Sequence, residues 1–428
     1  MDGSAEVTRR HRVAWYLYDF GNSAYTSVVL LAVYPVYFKD QVVGGAEGTR
    51  LWGYAVFLAM LVVAILAPIL GALADHTASK KRQLLFFTTL SCVCTAGLYG
   101  VVPGAIALGM GLFILAEIGY RGGQVFYDAL LPEVATPEQM GRVSGIGWAV
   151  GTGGGVLVLL ILQAMGRIQG APVSPRIAVL ITACFFSVGA AALFIGLPER
   201  AQALPLPPGR SALGVAWEQV RHTVRTARQH AGFLKFMLAF VVFNNGVIMV
   251  LDFAGILGSV VYGLTQQDLI RFFIVVQLAN VAGAFGFGWV ADRWGVKPAL
   301  TMSLLSIVAV ALSILVNHNP QVFYVMGLLA GVGMAGAQSL SRTLVALLAP
   351  PAHTAEFFGF YSMAARVSSV LGPGIYGWLA AEGALHYAGQ ADAEVSGHRI
   401  ACLAIAGFVL AGLALLVRVA EPPRRRKA

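Results

Sequence analysis

Residues 117–128 read EIGYRGGQVFYD. A helix turns by about 100° per residue, so Glu117, Arg121, Gln124 and Asp128 fall within about 60° of arc. Two carboxylates, a guanidinium and an amide then share one face of an otherwise apolar helix. That set could hold a small zwitterion, with arginine taking a carboxylate through two parallel hydrogen bonds and a carboxylate taking an ammonium or a proton. The i,i+4 spacing of Glu117 and Arg121 equally allows an ion pair closed within the helix, and both readings stand at this point. Three other segments repeat the pattern. Asp19, Asn22, Ser23 and Thr26 lie at i, i+3, i+4 and i+7; Asn245 and Asp252 are seven apart; Gln338, Ser341 and Arg342 lie within about one turn.

Other chemistries lack their residues. There is no G-x-x-x-x-G-K-[ST] phosphate loop, no H-E-x-x-H zinc motif and no G-x-S-x-G nucleophile elbow. Cys92, Cys94, Cys184 and Cys402 form neither a disulfide framework nor a metal-ligand spacing. The eight histidines fall in expected loops, tails or span edges, which argues against a histidine proton relay. The expectation is a non-enzyme without cofactor or metal.

The elements that must position the polar stripes follow from composition. The chain is 58% hydrophobic and 11% charged over 428 residues, with mean hydropathy +0.75. Soluble domains carry about 25% charged residues, so the bilayer must be most of this chain's solvent. Windows of about 20 apolar residues mark helical spans, and twelve are expected: 14–38, 52–74, 84–102, 105–131, 143–165, 177–197, 233–262, 270–291, 299–316, 322–348, 357–381 and 400–420. The runs are continuous rather than alternating, which favours an all-α membrane protein over a barrel. The first window is too long for a cleaved signal and has no small-residue cleavage site after it. Arg9, Arg10 and Arg12 precede it, and basic residues concentrate in the segments assigned inside, so both termini are expected in the cytoplasm. The net charge of +9 therefore reads as topology and anionic-lipid contact rather than nucleic-acid binding.

The chain also repeats itself. GALAD at 71–75 matches GWVAD at 288–292, each followed by a basic turn; GQVFYDALL at 123–131 matches AQSLSRTLV at 337–345; FGNS at 20–23 matches FNNG at 243–246. The expected organisation is a six-helix half over 1–198, a linker over 199–232 with an amphipathic helix along the inner membrane surface, and a second six-helix half over 233–428.

Two parallel six-helix halves with G-x-x-x-D and a basic turn after the second span resemble the major facilitator superfamily. WYLYDFGNSAY at 15–25, then Tyr34-Pro35-x-Tyr37-Phe38, resembles the first helix of its vacuole-effluxer-like branch. Phe126–Glu133, Gln338-Ser339-x-Ser341-Arg342 and Phe357-Phe358-Gly359-x-Tyr361 resemble later spans of that branch. Gly21, Tyr34 and Asp128 stand where Ala, Phe and Asn are usual. The resemblance implies that spans 1, 4, 7 and 10 line a central cavity and that Asp75, Asp292 and Arg293 belong to a cytoplasmic gate. His76 and Ser79 depart from the usual loop signature. Fungal members of the branch release amino acids from the vacuole.

The expected function is alternating-access secondary transport of a small polar solute, with amino acids as the first class to test and protons as the coupling ion. The substrate or coupling residues are Asp19, Asn22, Glu117, Arg121, Gln124, Asp128, Asn245, Asp252, Gln338 and Arg342. The alternatives are a transporter of another small organic solute and a non-transporting sensor on the same fold. The expected location is a bacterial cytoplasmic membrane. The superfamily resemblance implies a monomer.

Overall fold

The computed structural model describes residues 9–76, 79–136, 139–198, 230–350 and 354–420, with isolated positions 214, 217, 218, 221 and 225 between them. The chain is helical along its described length. Its long helices are α1 (Arg9–Tyr25), α2 (Gly45–His76), α3 (Lys80–Gly97), α4 (Ile106–Ala129), α5 (Met140–Gln169), α6 (Pro175–Gly196), α7 (Ala231–Tyr262), α8 (Gln266–Trp294), α9 (Val296–Val316), α10 (Pro320–Leu348), α11 (Thr354–His386) and α12 (Ala393–Val417). Among the described residues, ten helices are long and apolar enough to cross a membrane. Large apolar side chains such as Val188, Phe285 and Val316 are more than 70% exposed. Lipid solvates such faces at no cost, whereas water would not. Nearly all of the expected amphipathic linker helix lies outside the described residues.

The first expected span is not one regular helix. α1 passes into a π-helical stretch, Thr26–Ala32, then a short helix at Tyr34–Tyr37, then a second π-helical stretch at Phe38–Val43. Pro35 explains the interruption: it has no N–H to donate, and its ring crowds the carbonyl one turn earlier. Val33 accordingly leaves helical geometry at φ −122°, ψ −60°.

Two compact units emerge, one of residues 1–37 and 65–218, the other of 38–64 and 219–428. Their helix pairings correspond. In the first, α1 packs on α5 and α6, and α3 on α4 and α6. In the second, α7 packs on α11 and α12, and α9 on α10 and α12. Adding six to each helix number turns these pairings into one another; α8 on α10 and α11 on α12 are further close pairings of the second unit. Small residues permit the close approaches, since helices in lipid associate by packing and not by escape from water. A methyl group on Gly154 would sit 2.0 Å from the Phe20 carbonyl oxygen, and one on Gly53 would sit 2.5 Å from that of Pro373.

The second unit takes residues 38–64 from the amino-terminal half of the sequence. α2 therefore runs through both units, with Pro68 inside the helix just past the change at residue 64.

Candidate functional site

In the first unit, α4 presents its stripe to the break in α1. Arg121 Nε donates to Glu117 Oε1 at 2.8 Å, and its guanidinium lies 5.3 Å from the centre of the Tyr120 ring. Tyr120 Oη shares a 2.8 Å hydrogen bond with Thr26 Oγ1 and accepts one of 2.9 Å from Gln124 Nε2. Tyr25 stacks on Tyr120 at 4.8 Å. Thr26 opens the π-helical stretch, a geometry that often marks functional sites.

Burial within this cluster is unequal. Glu117 is fully buried, while the Arg121 side chain is 29% exposed. Glu117 Oε2 and Tyr25 Oη are both buried with no third partner among the described residues; they face each other, with the Tyr25 hydroxyl placed to donate to the carboxylate. An ionised carboxylate in an apolar interior is costly unless hydrogen bonds, a proton or a ligand complete it. The helix-internal ion pair forms, as one of the two sequence readings anticipates, and it engages one carboxylate oxygen while the other faces the Tyr25 hydroxyl.

One end of this cluster is an aromatic layer. Trp15 stacks on Tyr127 at 4.4 Å with 8° between planes, and Tyr18 stacks on the same ring at 4.9 Å. Trp15 Nε1 donates to the Tyr127 carbonyl and Tyr127 Oη to the Trp15 carbonyl, both at 3.2 Å.

The other expected residues of this unit are placed differently. Asp128 is exposed at the end of α4 and so leaves the buried part of the stripe. Asp19 is half-buried against α5, where a methyl group on Gly151 would meet its Oδ2 at 2.4 Å. Asp19 lies within electrostatic reach of Asp128. Asn22 is 2% exposed.

In the second unit the polar residues serve the helices themselves. Asn245 Nδ2 donates to the Val241 carbonyl at 2.7 Å, and Asn245 Oδ1 accepts from the Gly372 N–H at 2.9 Å. Gly372 precedes Pro373, which sits inside α11, so Asn245 serves the backbone of the turn that leads into the proline. Asn244 donates to Ser368 Oγ at 2.7 Å. Asp252 is buried, and its carbonyl accepts from Trp52 Nε1 at 3.3 Å. Gln338 and Arg342 share an exposed face of α10, with Tyr361 of α11 beside Arg342. Of the gate residues, Asp292 and Arg293 are exposed at the end of α8, with Arg293 over the Trp289 ring at 5.7 Å. The Asp75 side chain lies outside the described residues. No group of three metal-ligating side chains occurs among the described residues.

His398 lies near the start of the last span, about one turn after α12 begins at Ala393, yet it is 2% exposed, an enclosure that its edge position does not foretell. Its partners Thr49 and Tyr376, and the buried Lys39 nearby, carry no periodicity that would link them in sequence. Tyr120, the hub of the first unit's cluster, was also missed, because a tyrosine on an apolar helix reads as packing.

The family model described as "Vacuole effluxer Atg22 like" matches residues 51–421. The MFS-type transporter YxiO of Bacillus subtilis is 27% identical over 371 residues, covering 84% of this chain and 86% of its own. Autophagy-related protein 22-1 of Penicillium rubens is 22% identical over 409 residues, covering 76% of this chain and 69% of its own. Among solved structures, a bacterial homologue of the human lysosomal transporter Spinster, in an inward-facing unoccupied conformation, superposes with a TM-score of 0.73 at 14% identity, covering 97% of this chain and 98% of that one. A D-xylose–proton symporter superposes with a TM-score of 0.68 at 14% identity, covering 97% and 99%.

Proposed function

Because this chain belongs to the Atg22-like vacuole effluxer family of major facilitator transporters, we propose that it is a proton-coupled secondary transporter of small zwitterions, amino acids first among them, working by alternating access. The observation that carries the reading is the unequal burial of the Glu117–Arg121 pair, a wholly enclosed acid with a partly exposed cation. Arg121 is the partly exposed member and can exchange its carboxylate partner. A substrate carboxylate taking the guanidinium leaves Glu117 as a buried anion without its cation. Glu117 then takes a proton, or the substrate's own ammonium. Binding and protonation are thus linked through one arginine. Gln124 and Tyr120 hold the arginine's flank, and Tyr25 faces the carboxylate.

Basic residues before α1 and after α2 and α8 support an orientation with both termini in the cytoplasm. A monomer in the bacterial cytoplasmic membrane, surrounded by lipid, is the working assembly.

The test is uptake of labelled amino acids into proteoliposomes, with and without an inward proton gradient. Glu117→Gln is expected to keep exchange and lose gradient-driven accumulation. Equal gradient stimulation in native protein and variant would sink the coupling role. Equal affinity for substrates blocked at the carboxylate or at the amine would remove the zwitterion assignment.

A further inference from the structure

The strap formed by residues 38–64 is fastened to α7, α11 and α12 inside the second unit by a set of polar contacts remote in sequence from the Glu117 cluster. The Lys39 side chain is 6% exposed, and its Nζ pairs with Asp40 Oδ1 at 2.8 Å and with Glu394 Oε2 at 2.7 Å. Asp40 Oδ2 accepts from Ser259 Oγ of α7 at 2.8 Å. Arg50 reaches Glu382 of α11 at 3.4 Å and also pairs with Glu47. Between these ion pairs lies His398. Its Nε2 faces Thr49 Oγ1 of the strap at 3.3 Å, and its Nδ1 faces Tyr376 Oη of α11 at 3.1 Å. Phe253 of α7 stacks on Tyr376 at 4.0 Å.

The titratable and charged groups around His398 come from every neighbouring element. The strap supplies Lys39 and Asp40, and through its next turn Glu47 and Arg50; α11 supplies Tyr376 and Glu382; α7 supplies Asp252, which takes the Trp52 N–H on its carbonyl; α12 supplies Glu394, Arg399 and Cys402. Arg399 is turned toward His318 at 2.9 Å. Burial pulls the Lys39 ammonium down, but the two carboxylates outweigh it and hold Lys39 above the ordinary lysine range. Lys39 therefore keeps its charge through neutral and acidic pH.

We propose that His398 is a proton-binding site that couples release of the strap to the acidity of the water on that side of the membrane. While the strap is down, both ring nitrogens face hydroxyls, no water reaches the ring, and an imidazolium would sit beside the Lys39 ammonium. When the strap lifts, Lys39 and Thr49 leave together. Glu394 lies one turn before His398 on the same helix, where an i,i+4 pair can form. It loses Lys39 and becomes the counter-ion for a protonated, hydrated imidazole. The proton comes from solvent and is returned when the strap closes. A proton that binds the lifted arrangement better must favour it, and imidazole titrates in the range of about pH 5–8 where this matters. The inference rests on the alternating-access reading, because it requires that the strap can lift.

The experiment places spin labels at Gln41 and Gln390, both exposed, in full-length protein free of its four cysteines and reconstituted in lipid nanodiscs. The distance distribution is measured at pH 8 and pH 5. The expected result is a gain of long distances at pH 5, by up to about tenfold in the open-to-closed ratio per pH unit, the limit for one proton. His398→Gln and His398→Asn, each checked for an unchanged melting temperature, are expected to lose that response. Lys39→Met/Arg50→Met is expected to lie open at both pH values. An unchanged pH response in both His398 variants overturns the proposal. So does a pH-independent native protein alongside a mobile double variant, and either result leaves alternating access standing. Immobility of the native protein and the double variant alike removes the alternating-access reading and the proposal with it.

Discussion

Two of the buried ion pairs among the described residues are inverses of each other. At Glu117–Arg121 the anion is wholly enclosed and the cation reaches out, 29% exposed. At Lys39–Glu394 the cation is enclosed at 6% and the carboxylates of Asp40 and Glu394 are about one third exposed. Enclosure decides what a partner's departure costs, because a charge left in apolar surroundings loses far more than one that water can solvate. The first arrangement therefore suits a site where the arginine is lent to a ligand and the acid is left to find a proton. The second suits a fastening, in which a lysine is gripped by two acids that water can recover when it leaves. Both pairs belong to a duplicated scaffold, yet neither has a counterpart at the equivalent place in the other half. The match of 123–131 with 337–345 places Gly331 and Ala335 where Glu117 and Arg121 stand, and neither carries a charge.

This contrast can be broken by experiment, most forcefully at Arg121. Arg121→Met leaves Glu117 buried without its cation, and a loss of about 3–5 kcal/mol is expected in reversible unfolding from mixed micelles at neutral pH. Adding Glu117→Gln should recover most of it. A double variant as unstable as the single one would mean that Arg121 matters through packing alone. At Asn245, replacement by Leu removes the acceptor for the Gly372 N–H, and about 1–3 kcal/mol should be lost by the same assay; no loss would show that water or another carbonyl serves that N–H equally well. Glu394→Gln should cost less, about 1 kcal/mol or below, because Asp40 still holds Lys39 and Glu394 is itself partly hydrated. A penalty as large as that of Arg121→Met would erase the asymmetry drawn above. The smallest effect belongs to Gly71 in the GALAD motif. A methyl group there meets nothing within 4 Å, so Gly71→Ala should leave the melting temperature unchanged or raise it slightly, by helix propensity of up to about 1 kcal/mol. A marked drop would reveal a close approach at Gly71 in another state of the protein.

Much of the scaffold was legible from hydropathy. Helices in lipid satisfy their own backbone, so a long apolar run specifies its own conformation with little help from its neighbours. That is why the windows at 177–197 and 299–316 coincide closely with α6 and α9. The same logic fails in the first span. Its apolar run continues to residue 38, but Pro35 and the packing around it turn the backbone π-helical over Thr26–Ala32 and again from Phe38. The α4 stripe was legible as far as Gln124, because the 3.6-residue period alone puts Glu117, Arg121 and Gln124 together. Asp128 left the buried part because α4 ends one residue later; in that last turn Phe126 and Tyr127 are enclosed while Asp128 is exposed.

What the sequence by itself determined is what local forces suffice to decide: a membrane solvent, long apolar helices, a repeated set of motifs and a polar face on α4. Tertiary structure alone decided which polar groups are enclosed and by whom. Lys39 meets Glu394 across 355 positions of chain, His398 is enclosed by residues from the strap and from α11, and Tyr120 gathers Thr26 and Gln124. Periodicity fixes the direction of a side chain about its own helix axis. Whether that direction meets lipid, water or a partner depends on neighbouring helices, and no spacing within a single helix contains that information.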